Sequence, residues 1–188
     1  MIYIKWALMV PVMLVVTLLT FPLAFILPFF GENRIGNLDN GTEVGEGYYL
    51  KSWLNWFQTP DNSLDGDEGW RTEHWQWRLK LPLALAVYVG RVGWLWRNPG
   101  YGYGRLIVIN HGAIWVGDHT LDESKEGSLL VKGVAGDCFQ YRLVKRLTAN
   151  KVLYMNLGWN VKGLYEQPIG ASQIVTFAFS PRIISRSI

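Results

Sequence analysis

The sequence predicts an α+β chain, with an N-terminal membrane helix or helices placed ahead of a small antiparallel β-rich C-terminal domain. Two observations carry this. Trp6 to Phe30 runs 25 residues without one charged side chain, and Thr17 and Thr20 hold its only hydroxyls. After Arg105 the character changes, and short runs of Val, Ile, Leu, Tyr and Phe alternate with turn formers.

As helix, the first segment would reach about 38 Å, more than the roughly 30 Å hydrocarbon core of a bilayer. A secretory signal peptide has a shorter apolar stretch and a small-residue cleavage site, and Phe-Ile-Leu-Pro-Phe-Phe-Gly offers none. A core helix of a soluble protein would show a polar stripe. Pro11, Pro22 and Pro28 each remove a backbone donor, so the regular span is predicted to stop near Phe21. The remainder can then turn along the interface, which keeps a re-entrant or monotopic hairpin open.

Leu79 to Trp96 is a second candidate span, in a four-part organisation of 1–30, 31–78, 79–97 and 98–188. Trp75 and Trp77 precede it and Trp94 and Trp96 close it, two indole pairs 19 residues apart. That spacing as helix is about 28 Å, and indoles favour the headgroup level. Arg91 is the difficulty, because a cation there needs water, a carboxylate or backbone carbonyls for company. Pro82, Gly90 and Gly93 support the other reading, an amphipathic or buried helix of the folded part.

Charge is unevenly spread. From Gly31 to Arg78 there are nine Asp or Glu against four Lys or Arg, whereas from Arg97 onward eleven basic residues face six acidic ones. The positive-inside tendency places the acidic 31–78 stretch outside an inner membrane and the C-terminal part in the cytoplasm. The basic residues are scattered rather than clustered, which does not favour nucleic acid as a partner. With Cys138 the single cysteine, no internal disulfide forms.

Six strands are predicted: Arg105–Ile109, Ala113–Gly117, Ser128–Lys132, Cys138–Leu143, Val152–Leu157 and Ile174–Phe179. Asn110-His111-Gly112, Ala135-Gly136-Asp137 and Ala149-Asn150-Lys151 are turns between them. In the fourth, Phe139, Tyr141 and Leu143 alternate with Gln140 and Arg142, the pattern of a half-buried strand. Such strands make a small antiparallel sheet, barrel or sandwich.

The residues singled out for binding are Trp56, Asp61, Asp65, Asp67, Trp70 and Arg91. Asp61-Asn-Ser63-Leu-Asp65-Gly66-Asp67 places oxygen ligands at positions 1, 3, 5 and 7 of an EF-hand loop, with the turn glycine at 6. The twelfth position fails: it is Thr72, with Glu73 one residue late. A polar turn, or an acidic loop that recognises a basic partner, fits as well, and no metal or cofactor is assigned. His74, His111, Asp118 and His119 lack the further His or Cys that a closed zinc shell needs. No nucleophile elbow, P-loop or His-Glu-x-x-His is present, and no catalytic residue is assigned.

Trp56-Phe-Gln-Thr-Pro-Asp-Asn-Ser-Leu-Asp-Gly-Asp-Glu-Gly-Trp70, followed by Arg97-Asn-Pro-Gly-Tyr-Gly-Tyr-Gly104, resembles small membrane proteins of tailed bacteriophages, a family of unknown function. The similarity covers about Trp53 to Gly104. It implies a viral protein made in a bacterial host and adds no reaction. The expectation is therefore a host inner-membrane protein that binds or interferes with an envelope partner, as in superinfection exclusion, without catalysis. Its partners are the lipid bilayer and a protein, a second copy of itself included. The alternatives are a virion or ejected component with a hydrophobic N-terminus, and a membrane-bound enzyme acting on envelope substrates.

Overall fold

The computed structural model of the chain describes residues 1–37, 43–78, 80–122 and 124–185. It has two compact units, one spanning Pro11–Gly104 and the other made of Met1–Val10 with Arg105–Ile188. The α+β class is as predicted, with an apolar N-terminal helix and an antiparallel β-rich C-terminal part.

Helix α1 spans Ile2–Leu23 and passes through Pro11, ending two residues beyond the predicted stop. In the Pro11–Gly104 unit it is followed by a 3-10 turn at Leu27–Phe30, strands β1 (Gly31–Asn37) and β2 (Glu43–Leu50), and a 3-10 turn at Ser52–Phe57. Helices α2 (Glu68–Arg78) and α3 (Leu83–Arg97) complete it. Ala24, Leu27, Leu50, Leu54, Leu64, Val92 and Leu95 form the core, each buried large side chain contributing on the order of 2 kcal/mol. A helix end leaves carbonyls that no helical N–H reaches. Two side chains of α3 supply donors there: Trp96 Nε1 to Phe21 O at 2.9 Å and Tyr88 Oη to Phe25 O at 2.7 Å.

Among its described residues the stretch 31–78, expected as an acidic aromatic loop, holds two strands, a 3-10 turn and a helix. β1 and β2 pair antiparallel from Gly31↔Leu50 to Asn37↔Glu43, with a bulge at Gly36/Asn37. Gly and Glu are poor strand formers, which hid the hairpin. Two of its glycines are covered by aromatic rings: a Cβ on Gly31 would fall 2.2 Å from the Tyr48 ring, and one on Gly36 2.4 Å from the Tyr49 ring. Gln58 ends the hairpin by accepting the Leu50 N–H at 2.7 Å.

The second candidate span is a short helix of the Pro11–Gly104 unit. α3 has 15 residues, about 22 Å, short of the hydrocarbon thickness. Trp94 and Leu95 are buried within the unit. Trp75, Trp77 and Leu79, which framed the predicted start, lie outside the described side chains. Among the described residues, α1 is the one helix long and apolar enough to cross a membrane.

The β-rich unit is built on a six-stranded antiparallel sheet. Strands β4 (Ala113–Gly117), β5 (Gly127–Gly133), β6 (Phe139–Thr148) and β7 (Lys151–Trp159) pair in succession. β10 (Arg182–Ser185) and β9 (Phe177–Phe179) both pair with β7, while β3 (Leu106–Ile109) and β8 (Ser172–Val175) form a separate ladder. The short helix α4 (Lys162–Tyr165) precedes β8. At the centre stands Trp159, fully buried, with Phe139 and Phe177 edge-on at 5.9 Å each. The first turns of α1 join this cluster: the Tyr3 ring packs tilted against Phe139 at 4.5 Å, and Trp6 donates its indole N–H to Ala178 O at 3.1 Å.

β6 corrects one expectation. The alternation puts Gln140 on the polar side of the strand, yet it is as buried as Phe139. The reason is a hydrogen-bond hub. Its Nε2 donates to Asn156 Oδ1 at 2.9 Å and Asn160 Oδ1 at 3.3 Å, and its Oε1 accepts Val161 N–H at 3.1 Å and Lys162 N–H at 2.9 Å. Asn160 in turn donates to Thr176 Oγ1 at 2.7 Å. A buried amide satisfied on both ends is tolerated, and removing it strands its partners. Gln140→Leu is expected to lower unfolding free energy by about 2–3 kcal/mol in urea titration, whereas the exposed neighbour Lys145→Leu stays within about 0.5 kcal/mol.

Candidate functional site

Four of the six predicted binding residues meet in the Pro11–Gly104 unit. Asp65 sits on a turn in which Ser63 Oγ accepts its N–H at 3.3 Å. Gly66 follows at φ +77°, where a Cβ would fall 2.5 Å from the Trp70 ring and 2.9 Å from the Trp94 ring. Glycine is required twice over, for its backbone angle and for the space. Asp67 Oδ1 then accepts Trp70 N–H at 2.7 Å, the cap of α2. Trp70 packs 5.7 Å from Trp94, with the Arg97 guanidinium 5.6 Å from its ring.

Arg91 reaches this turn from α3. Its Nε donates to Asp65 Oδ1 at 2.8 Å and its Nη2 to Oδ2 at 3.4 Å, and the guanidinium lies 3.6 Å from the centroid of Tyr48. The cation thus finds a carboxylate and an aromatic face. Trp56 and Asp61 do not join the group. Trp56 is exposed and pairs with Tyr103 at 5.8 Å, while Asp61 is exposed and raises the Tyr49 hydroxyl's pKa only as the least of three influences, after burial and the opposing Arg34.

In this arrangement the acidic groups hold the fold. Both Asp65 oxygens face Arg91 and one Asp67 oxygen caps a helix. Among the described residues no three His, Cys, Asp or Glu side chains converge as metal ligands. His119 stacks on Trp115 at 5.0 Å, and Asp118 bonds Lys125 at 2.7 Å and Thr120 at 2.8 Å. Those bonds, led by Lys125, hold the exposed Asp118 carboxyl down to about 2. His74 lies outside the described side chains.

Sequence reasoning missed a cavity of about 370 Å³ beside α3, lined by Phe25, Trp70, Arg71, Tyr88, Gly90, Gly93 and Trp96 among others. Its signal was Gly90 and Gly93, three apart on one face of a helix otherwise rich in large residues. A Cβ on Gly90 would meet no atom within 4 Å.

A family model matches residues 1–186. The chain belongs to a family of unknown function (DUF7338). The match runs through both compact units, so the apolar helix, the acidic turn and the sheet all lie within the family's extent. No curated protein and no solved structure matches the chain significantly.

In the β-rich unit, Cys138 is buried, with Tyr165 Oη 3.2 Å and Asp137 Oδ1 3.4 Å from its sulfur. Burial pushes the thiol up to about 11, only partly opposed by the Tyr165 hydrogen bond. The thiolate is the reactive form, so the native protein is expected to resist neutral-pH alkylation and to react on unfolding, as a thiol titration with and without denaturant will show. Because the folded state holds this proton more tightly, the contribution is complete below the unfolded thiol's value near 8.5 and is lost as pH rises through about 11.

The Arg91–Asp65 pair is partly shielded, with side chains 18% and 28% exposed. Arg91→Met is expected to cost about 1–2 kcal/mol in chemical denaturation, between the values for exposed and buried pairs. Asp65→Asn combined with Arg91→Met should cost less than the sum of the single changes, a coupling that a double-mutant cycle measures directly.

Proposed function

We propose that the protein is a membrane-held binding protein without catalytic chemistry of its own, with the outer face of α1 in lipid. The supporting observation is α1 itself: 22 residues with a window of mean hydropathy 2.2, of which 11% is buried. A core helix of a soluble protein would be mostly covered. In the Pro11–Gly104 unit, Val16, Thr20 and Ala24 turn inward at spacings of four, whereas Val12, Val15, Leu18 and Leu19 are exposed. Phe25, Ile26, Phe29 and Phe30 continue the exposed apolar surface past the helix end. An apolar surface of this extent marks an interaction with a membrane or a partner.

The packing of α1 favours a position in the plane of the interface over a perpendicular crossing. Gly100 closes on Val16, where a Cβ would fall 2.8 Å from the valine side chain. Gly100, in the Gly/Tyr segment, therefore lies against the middle of α1. A crossing helix would carry that irregular backbone to the bilayer midplane, where turn amides go unsatisfied unless protein covers them. An in-plane helix keeps it at the wet side. The resemblance of 56–70 and 97–104 to tailed-phage proteins supports the finer reading, a viral protein at the host inner membrane that engages an envelope partner.

Flotation of the purified chain with anionic vesicles tests the reading. The protein is expected to float and to resist alkaline carbonate. Val15 and Leu18 both stand on the exposed face of α1, so Val15→Asp with Leu18→Asp should reduce binding at least about tenfold. A wild-type chain that stays unbound and monodisperse without detergent would reject the proposal. Orientation is read by impermeant maleimide on spheroplasts, in a Cys138→Ala background with thiols at Asn33 or Ser128. Two crossings label Asn33 alone; an in-plane helix on the cytoplasmic leaflet labels neither.

A further inference from the structure

We infer that the cavity beside α3 is a binding site for one acyl chain of an anionic bilayer phospholipid, with Arg71 at its mouth facing the phosphate. The inference rests on the membrane-held reading and adds a ligand to it. The cavity's volume of about 370 Å³ lies in the range of small-ligand sites, which is about 300–1,000 Å³.

The wall chemistry defines the ligand. Phe25, Trp70, Val89 and Val92 line it with predominantly apolar and aromatic surface. Two polar atoms on the wall are already used, since Tyr88 Oη and Trp96 Nε1 both donate to carbonyls at the end of α1. Neither has a donor left for a polar ligand. Arg71 is different. It is exposed, it donates one Nη1 bond to Gly66 O at 3.0 Å, and no carboxylate lies within ion-pair distance among the described residues. The site therefore asks for an apolar chain joined to an anion, and the remaining guanidinium N–H groups suit a phosphate oxygen.

Position selects the source. Phe25 and Trp96 are both exposed as well as lining the cavity, so the opening is continuous with the apolar surface of Leu18, Phe21 and Ile26. A chain in the outer lipid layer can enter from that side without crossing water. On α3, Gly90 leaves the wall open, whereas a Cβ on Gly93 would fall 2.9 Å from the Trp70 ring. Gly90 is thus the position at which a larger side chain fills the space with the least disturbance.

The test is photo-crosslinking of the full chain on vesicles, using phosphatidylglycerol with a diazirine in the acyl chain and phosphatidylcholine carrying the same probe. Peptide mapping is expected to find label on the α3 wall, residues 88–93, and on the outer face of α1, residues 12–19. Gly90→Phe should bring the α3 label to background with the α1 label unchanged. Gly90→Leu provides the same reading if the larger ring disturbs the helix, with circular dichroism as the check. Arg71→Gln should remove a preference for phosphatidylglycerol of about three- to tenfold, the worth of a charge-assisted hydrogen bond. Label on α1 with none on the α3 wall overturns the cavity assignment and leaves the membrane reading standing. Absence of label on both, with the protein unbound to vesicles, overturns the two together.

Discussion

An apolar helix with no polar face has to be covered on every side, and the Pro11–Gly104 unit covers its part of α1 on one. The 25 uncharged residues from Trp6 to Phe30 set that constraint. Burying apolar surface is the main favourable term in folding, and the exposed half of α1 is surface the chain does not bury for itself. Other features of the Pro11–Gly104 unit follow from holding the inner half. Thr20 is buried with its hydroxyl returned to Val16 O at 2.7 Å, so it brings no open polar group to the core. The carbonyls left at the helix end receive donors from Tyr88 and Trp96. Helix α3 is aromatic because it has to be both an apolar wall and a hydrogen-bond donor to its neighbour.

The acidic turn serves the same end by a different route. Arg91 brings a charge into a helix that packs on this apolar unit, and Asp65 with the Tyr48 ring neutralises and covers it. Asp67 starts α2 and so places Trp70 over α3. Of the carboxylates whose spacing suggests calcium, Asp65 pairs with Arg91 and Asp67 caps α2, while Asp61 stands exposed.

Period and turn chemistry made the β-rich half legible. The boundaries of β4 and most of β5 and β7 follow from apolar runs between Gly and Asn turns, whereas β6 runs on to Thr148 past its expected end at Leu143. What escaped was long-range. Gln140 reads as an outward polar residue because its burial depends on Asn156, Asn160 and the start of α4, all distant in sequence. The β1–β2 hairpin was hidden because its stability comes from Tyr48 and Tyr49 lying over glycines rather than from strand-forming residues. Trp94 reads as an interfacial indole and is a core residue, since sequence shows amphipathic capacity but not which surface receives it. Four members of the candidate site came together as a group, yet Arg91's carboxylate was foreseen only as a type and not as Asp65. The cavity had a trace in Gly90 and Gly93, whose meaning depends on Trp70 arriving from another helix.

Depth profiling of α1 tests the central claim most directly. Nitroxide labels placed one at a time at Leu8, Val12, Val15, Val16 and Leu19, in a Cys138→Ala background on anionic vesicles, report collision with oxygen and with a water-soluble nickel chelate. The account predicts high oxygen and low chelate accessibility at Leu8, Val12, Val15 and Leu19, at similar depths along the helix, and restricted motion at the inward Val16. Chelate accessibility at Leu8, Val12, Val15 and Leu19 would contradict it.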